Sequence, residues 1–199
     1  MEIDCALAAG VATPEHVALA EELGYARAWC HEAPRSYPDA GMALAVAAER
    51  TSRIRIGLAV GGHWRRAAAD AGALADLAAR ARGRAELVVG LPGGTGRDPE
   101  AHATAVREVL RREHGVDGVP AWVGRPGATE YLPLAFGVRS PRGAALRTVV
   151  EVTPGADLHR VVARLRPAGL LLRPTGADVG RELAGFAEAV HALELAGVA

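Results

Sequence analysis

The 199-residue chain contains no lysine, no asparagine and no glutamine. The missing lysine rules out Schiff-base chemistry at a catalytic amine. All 23 basic side chains are therefore arginine. Alanine, glycine, arginine and valine dominate, as GC-rich coding produces, so arginine abundance alone does not indicate phosphate binding. Cysteine occurs twice, as Cys5 and Cys30. Both sit in apolar, strand-like runs and read as buried free thiols, and no Cys/His spacing fits a zinc site. Aromatic residues are only 4% of the chain. No apolar run approaches the ~20 residues that span a bilayer. Neither charge sign is in excess, with 23 basic against 23 acidic residues. That balance gives no pull toward nucleic acid or an anionic membrane. The amino terminus "MEIDCALAAG" lacks a basic segment and does not read as a signal peptide, so the expected location is cytoplasmic. No Walker A, GxGxxG or G-x-S-x-G motif occurs, and no carboxylate cluster forms in sequence for a metal.

What is present is alternation. Half the chain is apolar, enough for one domain over residues 1–199 with a full core. Strands are expected at 3–9, 26–30, 53–60 and 85–91. Helices are expected at 13–24, 39–51, 67–83 and 98–115. Thr13 is expected to cap the first helix, with Pro14 in its first turn and Gly24 just past its end. Asp98 and Pro99 play those opening parts for the fourth. Later strands are expected at 119–124, 132–138, 147–153 and 169–174, and helices at 156–166 and 180–197. Strands that are apolar throughout suggest a parallel sheet covered on both faces. Eight of them favour a small (β/α)8 TIM-type barrel, incomplete or lacking late helices because the late connections are short. A doubly wound open sheet is the alternative.

In either architecture, sites form at the carboxyl ends of strands. "CHE" ends the second strand, and His31 beside Glu32 can serve as a general acid or base. Neighbouring strand residues face opposite ways, so one of the two faces the rim centre. "GGHWRR" (61–66) ends the third strand; His63 and Trp64 form a wall for a ring system, or an exposed loop. "GLPGGTG" (90–96) and "GRPGATE" (124–130) are glycine-rich, which lets backbone amides approach a phosphate. The second is expected to enter a short helical turn, with Arg125 adding charge. "GVRSPRG" (137–143) offers Arg139 and Ser140 in the same way.

Three blocks, "AEELGYARAWCHE", "ALAVAAERTSRIRIGLAVGG" and "ALADLAARARGRAELVVGLPGG", resemble the luciferase-like monooxygenase family in order and spacing, over residues 1–95. "VPAWVGRPGATEYLPLA" is similar to the family's later strand and phosphate loop. The resemblance implies a TIM-type barrel, FMN or coenzyme F420 bound at the strand carboxyl ends, and a homodimer through the early helices. It implies an oxidoreductase or monooxygenase acting on a small organic substrate, or a non-catalytic flavin-binding or partner-subunit relative. His31, Glu32 and His63 become the catalytic candidates. Gly61, Gly90 and Gly93 would lie near the ring, and Gly124, Arg125, Gly127 and Ala128 near the phosphate, with Arg139 and Ser140 as further cofactor contacts. Two departures stand out. The family's histidine follows the acidic residue ending strand two, where this chain has Ala33, and the family's long insertion before the later strands is nearly absent.

Overall fold

A computed structural model describes residues 1–31, 39–60, 66–89, 98–129, 132–139 and 148–197, with backbone alone for 125–129, 132–139 and 148. Eight strands form a closed barrel in sequence order. They are β1 (Glu2–Ala8), β2 (Arg27–His31), β3 (Arg55–Val60), β4 (Ala85–Val89), β5 (Ala121–Thr129), β6 (Leu132–Arg139), β7 (Thr148–Val152) and β8 (Gly169–Leu172). Closure comes from parallel pairing of β1 with β8, from Glu2 against Gly169 to Cys5 against Leu172. That pairing excludes the open sheet.

Helices α1 (Thr13–Glu22), α2 (Ala40–Arg50), α3 (Ala67–Ala81) and α4 (Pro99–His114) follow the first four strands, and α5 (Leu158–Leu165) and α6 (Val179–Leu195) follow β7 and β8. Asp39, Asp98, Asp157 and Asp178 each accept backbone N–H bonds at a helix start. Such a cap contributes about 1 kcal/mol. Thr13 does not cap. The cap position is Ala12, and Thr13 lies inside the first turn. Its hydroxyl instead accepts from Gly10 N at 2.9 Å and donates to Ala8 O at 3.3 Å, which closes the β1–α1 loop. Gly24 takes the positive φ, 85°, expected just past a helix.

The late strands depart from the expected pattern. β6 runs antiparallel to both β5 and β7. Only residues 130 and 131 separate β5 from β6. A parallel crossover needs roughly a dozen residues, so the chain can return only as a hairpin. β5 also continues to Thr129, well beyond Val123, the last residue that pairs with β4. No described helix lies between β5 and β7, while α5 and α6 follow the last two strands.

The core has two parts. One lies between the helices and the outer face of the barrel, and includes Leu44, Leu74, Ile56, Leu87 and Leu170. The other fills the barrel: Ala6, Trp29, Ala59, Val88, Trp122, Val149 and Leu171. Trp29 and Trp122 stack with ring centres 5.4 Å apart. Gly57 pairs with Trp29 across the β2–β3 ladder, and a Cβ there would lie 2.3 Å from Trp29 Cδ1. Glycine is what lets the indole lie flat against β3.

At the amino-terminal end, the interior is charged. Arg27 Nη1 donates to Glu2 Oε2 at 2.7 Å and approaches Asp4 Oδ1 at 3.3 Å. Arg27 Nε lies 3.7 Å from Glu86 Oε2. Trp122 Nε1 donates to that same oxygen at 2.8 Å, and Arg55 Nε donates to Glu86 Oε1. Arg27 also sits 4.8 Å over the Trp122 ring. Three carboxylates thus face two guanidiniums. Burial raises the Asp4 pKa to about 7, partly offset by Arg27.

This predicts a pH effect. The folded Asp4 holds a proton up to about pH 7, while the unfolded group loses it near 3.8. Its contribution to stability is complete below the lower value and is lost as pH rises through the upper one. Urea midpoints at pH 5 and 8 should fall more for the wild type than for Asp4→Asn; parallel profiles for the two proteins would refute the assignment.

Candidate functional site

Side chains alternate along a strand, so interior positions can be followed to the carboxyl-terminal mouth. In β1, Ala6 is interior and Ala8 is next. In β2, interior Trp29 is followed by His31, which pairs in register with Ala8 and Ala59. In β7, interior Val149 leads to Glu151. After β8, interior Leu171 leads to Arg173, whose N–H continues the ladder to Val152 O at 2.9 Å. In β5, interior Trp122 leads to Gly124.

His31, Glu151 and Arg173 therefore share one end of the barrel. Glu151 is fully buried, and Arg173 Nε lies 2.7 Å from its Oε1. The two are close enough for an ion pair but not aligned as a hydrogen bond, and Glu151 Oε2 has no hydrogen-bond partner. Burial raises the Glu151 pKa, and Arg173 works against that rise. His31 Nδ1 is buried with no hydrogen-bond partner. Burial lowers the His31 pKa and the Arg173 charge lowers it further, against a backbone bond with Leu7. The imidazole is thus neutral near pH 7 and carries one unused ring nitrogen. Ala8 is exposed and Ala59 is buried. Small side chains thus flank His31 on both neighbouring strands.

The other expected site residues are placed as follows. Glu32, Gly61, His63, Gly90, Gly93 and Ser140 lie outside the described residues. Gly124 is on the interior course of β5, level with Phe136 of β6. Arg125, Gly127 and Ala128 are not in a helical turn: they belong to β5, which pairs with β6 through an irregularity between Pro126 and Thr129. Arg139 is a correction of address. It pairs with Ala121 at the start of β5, because β6 is antiparallel, and so lies at the end of the barrel opposite the mouth.

The β8–α6 loop is also occupied internally. Glu182 accepts from Thr175 N at 2.9 Å and from Gly176 N at 2.8 Å, so those amides are already bound to a carboxylate. A cavity of about 300 Å³ lies between this loop and the start of α1, lined by Gly10, Thr13, His16, Thr175 and Gly176. No group of three His, Cys, Asp or Glu suited to a metal occurs among the described residues. No described helix is long and apolar enough to cross a membrane. Arg173 was missed as a site residue in the sequence. Its one signal is a charge directly following the apolar run "GLLL", where an interior strand position meets the rim.

The His31 environment is directly testable. Its ring should titrate below 6.5 by NMR. The double substitution Glu151→Gln/Arg173→Leu removes the buried pair as a unit and should move that titration upward. An unmoved curve would mean the two side chains do not share the mouth.

Known proteins resemble this chain in part. The structure of a coenzyme F420 dependent tetrahydromethanopterin reductase from Methanopyrus kandleri aligns at 18% identity and TM-score 0.47, over 92% of this chain and 62% of the other. The oxygenating constituent of 3,6-diketocamphane monooxygenase from the CAM plasmid of Pseudomonas putida, in complex with FMN, aligns at 15% identity and TM-score 0.41, over 96% and 63%. The chain thus spans less than two thirds of either structure's length. No curated protein sequence matches it. The family profile described as luciferase-like monooxygenase matches residues 8–113, more than half of the chain, and the chain belongs to that family.

Proposed function

We propose that the protein is an oxidoreductase or monooxygenase of the luciferase-like type that uses FMN or coenzyme F420 on a small organic substrate. The observation that carries this reading is the mouth of the barrel. There a neutral His31 with an unused nitrogen, a buried Glu151 and a partly exposed Arg173 meet at one end of the barrel, with alanine on both strands beside His31. Buried polar atoms without partners suit a ligand that supplies them. The bound cofactor would supply hydride or oxygen chemistry, and the chain would supply orientation. His31 would donate to or accept from the ligand at Nδ1, and it stays neutral while doing so. Gly124, lacking a side chain on the interior course of β5, would let a ring or phosphate come close. Arg125, Gly127 and Ala128 follow it on the extended hairpin as backbone contacts. Glu32, His63, Gly61, Gly90 and Gly93 remain candidates from the neighbouring rim segments. We place the protein in the cytoplasm.

A second reading is favoured by one observation. No described helix joins β5, β6 and β7, whereas a complete barrel carries one after each strand. A non-catalytic flavin-binding or partner-subunit relative would tolerate that. Spectroscopic titration with FMN and with F420 separates the cases. Binding with a dissociation constant of about tens of micromolar or tighter is expected for one of them, with turnover of the reduced form. Binding without turnover favours the second reading, and no binding of either cofactor refutes both.

We also propose a homodimer through the early helices. Met42 and Val46 lie one turn apart on α2 with 67% and 44% of their surface exposed. Paired apolar side chains there suit a second copy. Sedimentation should show a dimer that Met42→Glu/Val46→Glu converts to monomer; a monomeric wild type would rule this out.

A further inference from the structure

We propose that Arg173 is the receptor for a carboxylate on the substrate, so that the protein acts on an organic acid. This deepens the oxidoreductase reading by naming its substrate class.

The barrel carries arginine at both ends, and Arg27 and Arg173 are differently supplied. Arg27, at the amino-terminal end, is surrounded by Glu2, Asp4 and Glu86. The chain itself thus shows one guanidinium in this interior holding more than one carboxylate. Arg173, at the mouth, has a single acid among the described residues, Glu151, and meets it from the Nε side. Glu151 is fully buried and forms an ion pair with that side of the guanidinium. The terminal N–H groups of Arg173 have no partner among the described residues, and its side chain is 34% exposed. A guanidinium held at Nε presents its remaining edge as a two-pronged donor, the geometry that a carboxylate accepts. Beside it, His31 Nδ1 is buried and unpartnered, a further contact for the same ligand.

The test uses cofactor-free protein, so its failure is separate from failure of the cofactor reading. Benzoate, benzamide and inorganic phosphate are titrated while the His31 ring resonances are followed by NMR. Benzoate should give a saturable shift with a dissociation constant of about a millimolar, as a small fragment reaches. Benzamide, of equal shape but uncharged, should give none, and phosphate should bind more weakly than benzoate. In the background Glu151→Gln, which avoids leaving a lone buried carboxylate, benzoate binding should persist; adding Arg173→Leu should weaken it at least about tenfold. No saturable benzoate shift, an equal one from benzamide, tighter phosphate binding, or full retention in the double variant would each overturn the proposal. A protein that binds FMN or F420 yet ignores benzoate would lose this inference alone.

Discussion

Arg27 is the side chain on which the barrel's interior depends. An eight-stranded barrel is just wide enough to be filled by side chains. Here the amino-terminal end is filled by a guanidinium with partners from three strands: Glu2 and Asp4 from β1, Glu86 from β4, and the face of Trp122 from β5. Taking charges out of water costs several kcal/mol each, and only close geometry and added hydrogen bonds offset it. The added bonds come from Trp122 and Arg55, both directed at Glu86. Removing one partner from such a group leaves the others buried and unpaired, at a cost of about 3–5 kcal/mol. The tryptophans then stack above this layer, and Gly57 provides the room.

That closed end gives the barrel its polarity. At the amino-terminal end Glu2, Asp4 and Glu86 all receive hydrogen bonds from the chain, and Arg27 Nε, which makes none, still lies 3.7 Å from Glu86 Oε2. At the carboxyl-terminal end, His31 Nδ1 and Glu151 Oε2 have no hydrogen-bond partner. The same principle, that buried polar atoms need partners, explains stability at one end and points to a ligand at the other. The strand ends support this division of labour. Glu182 already fills the amides of the β8–α6 loop, which leaves the interior mouth rather than that loop as the open polar surface.

Much of the fold was legible because it is local. Aspartates before apolar helical stripes mark the starts of α2, α4, α5 and α6, and glycines mark helix ends such as Gly24 and Gly115. Thr13 was misread because a threonine before a proline looks like a cap, whereas its hydroxyl is drawn to Gly10 and Ala8 in the adjoining loop. The direction of β6 was hidden because the sequence ends the preceding strand at 124, and only the extension of β5 to Thr129 leaves a two-residue gap that no parallel crossover fits. Taking all eight strands as parallel placed Arg139 on the wrong end. His31 was found because it ends an apolar strand. Arg173 and Glu151 were hidden as a pair because 21 residues and α5 separate them, and only β7–β8 pairing brings them together (173 − 151 = 22 positions apart).

The sequence by itself determined the strand–helix alternation, the helix boundaries and the family, because propensity, capping and apolar periodicity act over a few residues. Closure of the barrel, the reversal of β6, the charged layer around Arg27 and the His31–Glu151–Arg173 mouth were decided by tertiary structure alone. Each depends on which distant strands lie side by side, and strand pairing sets which interior side chains meet.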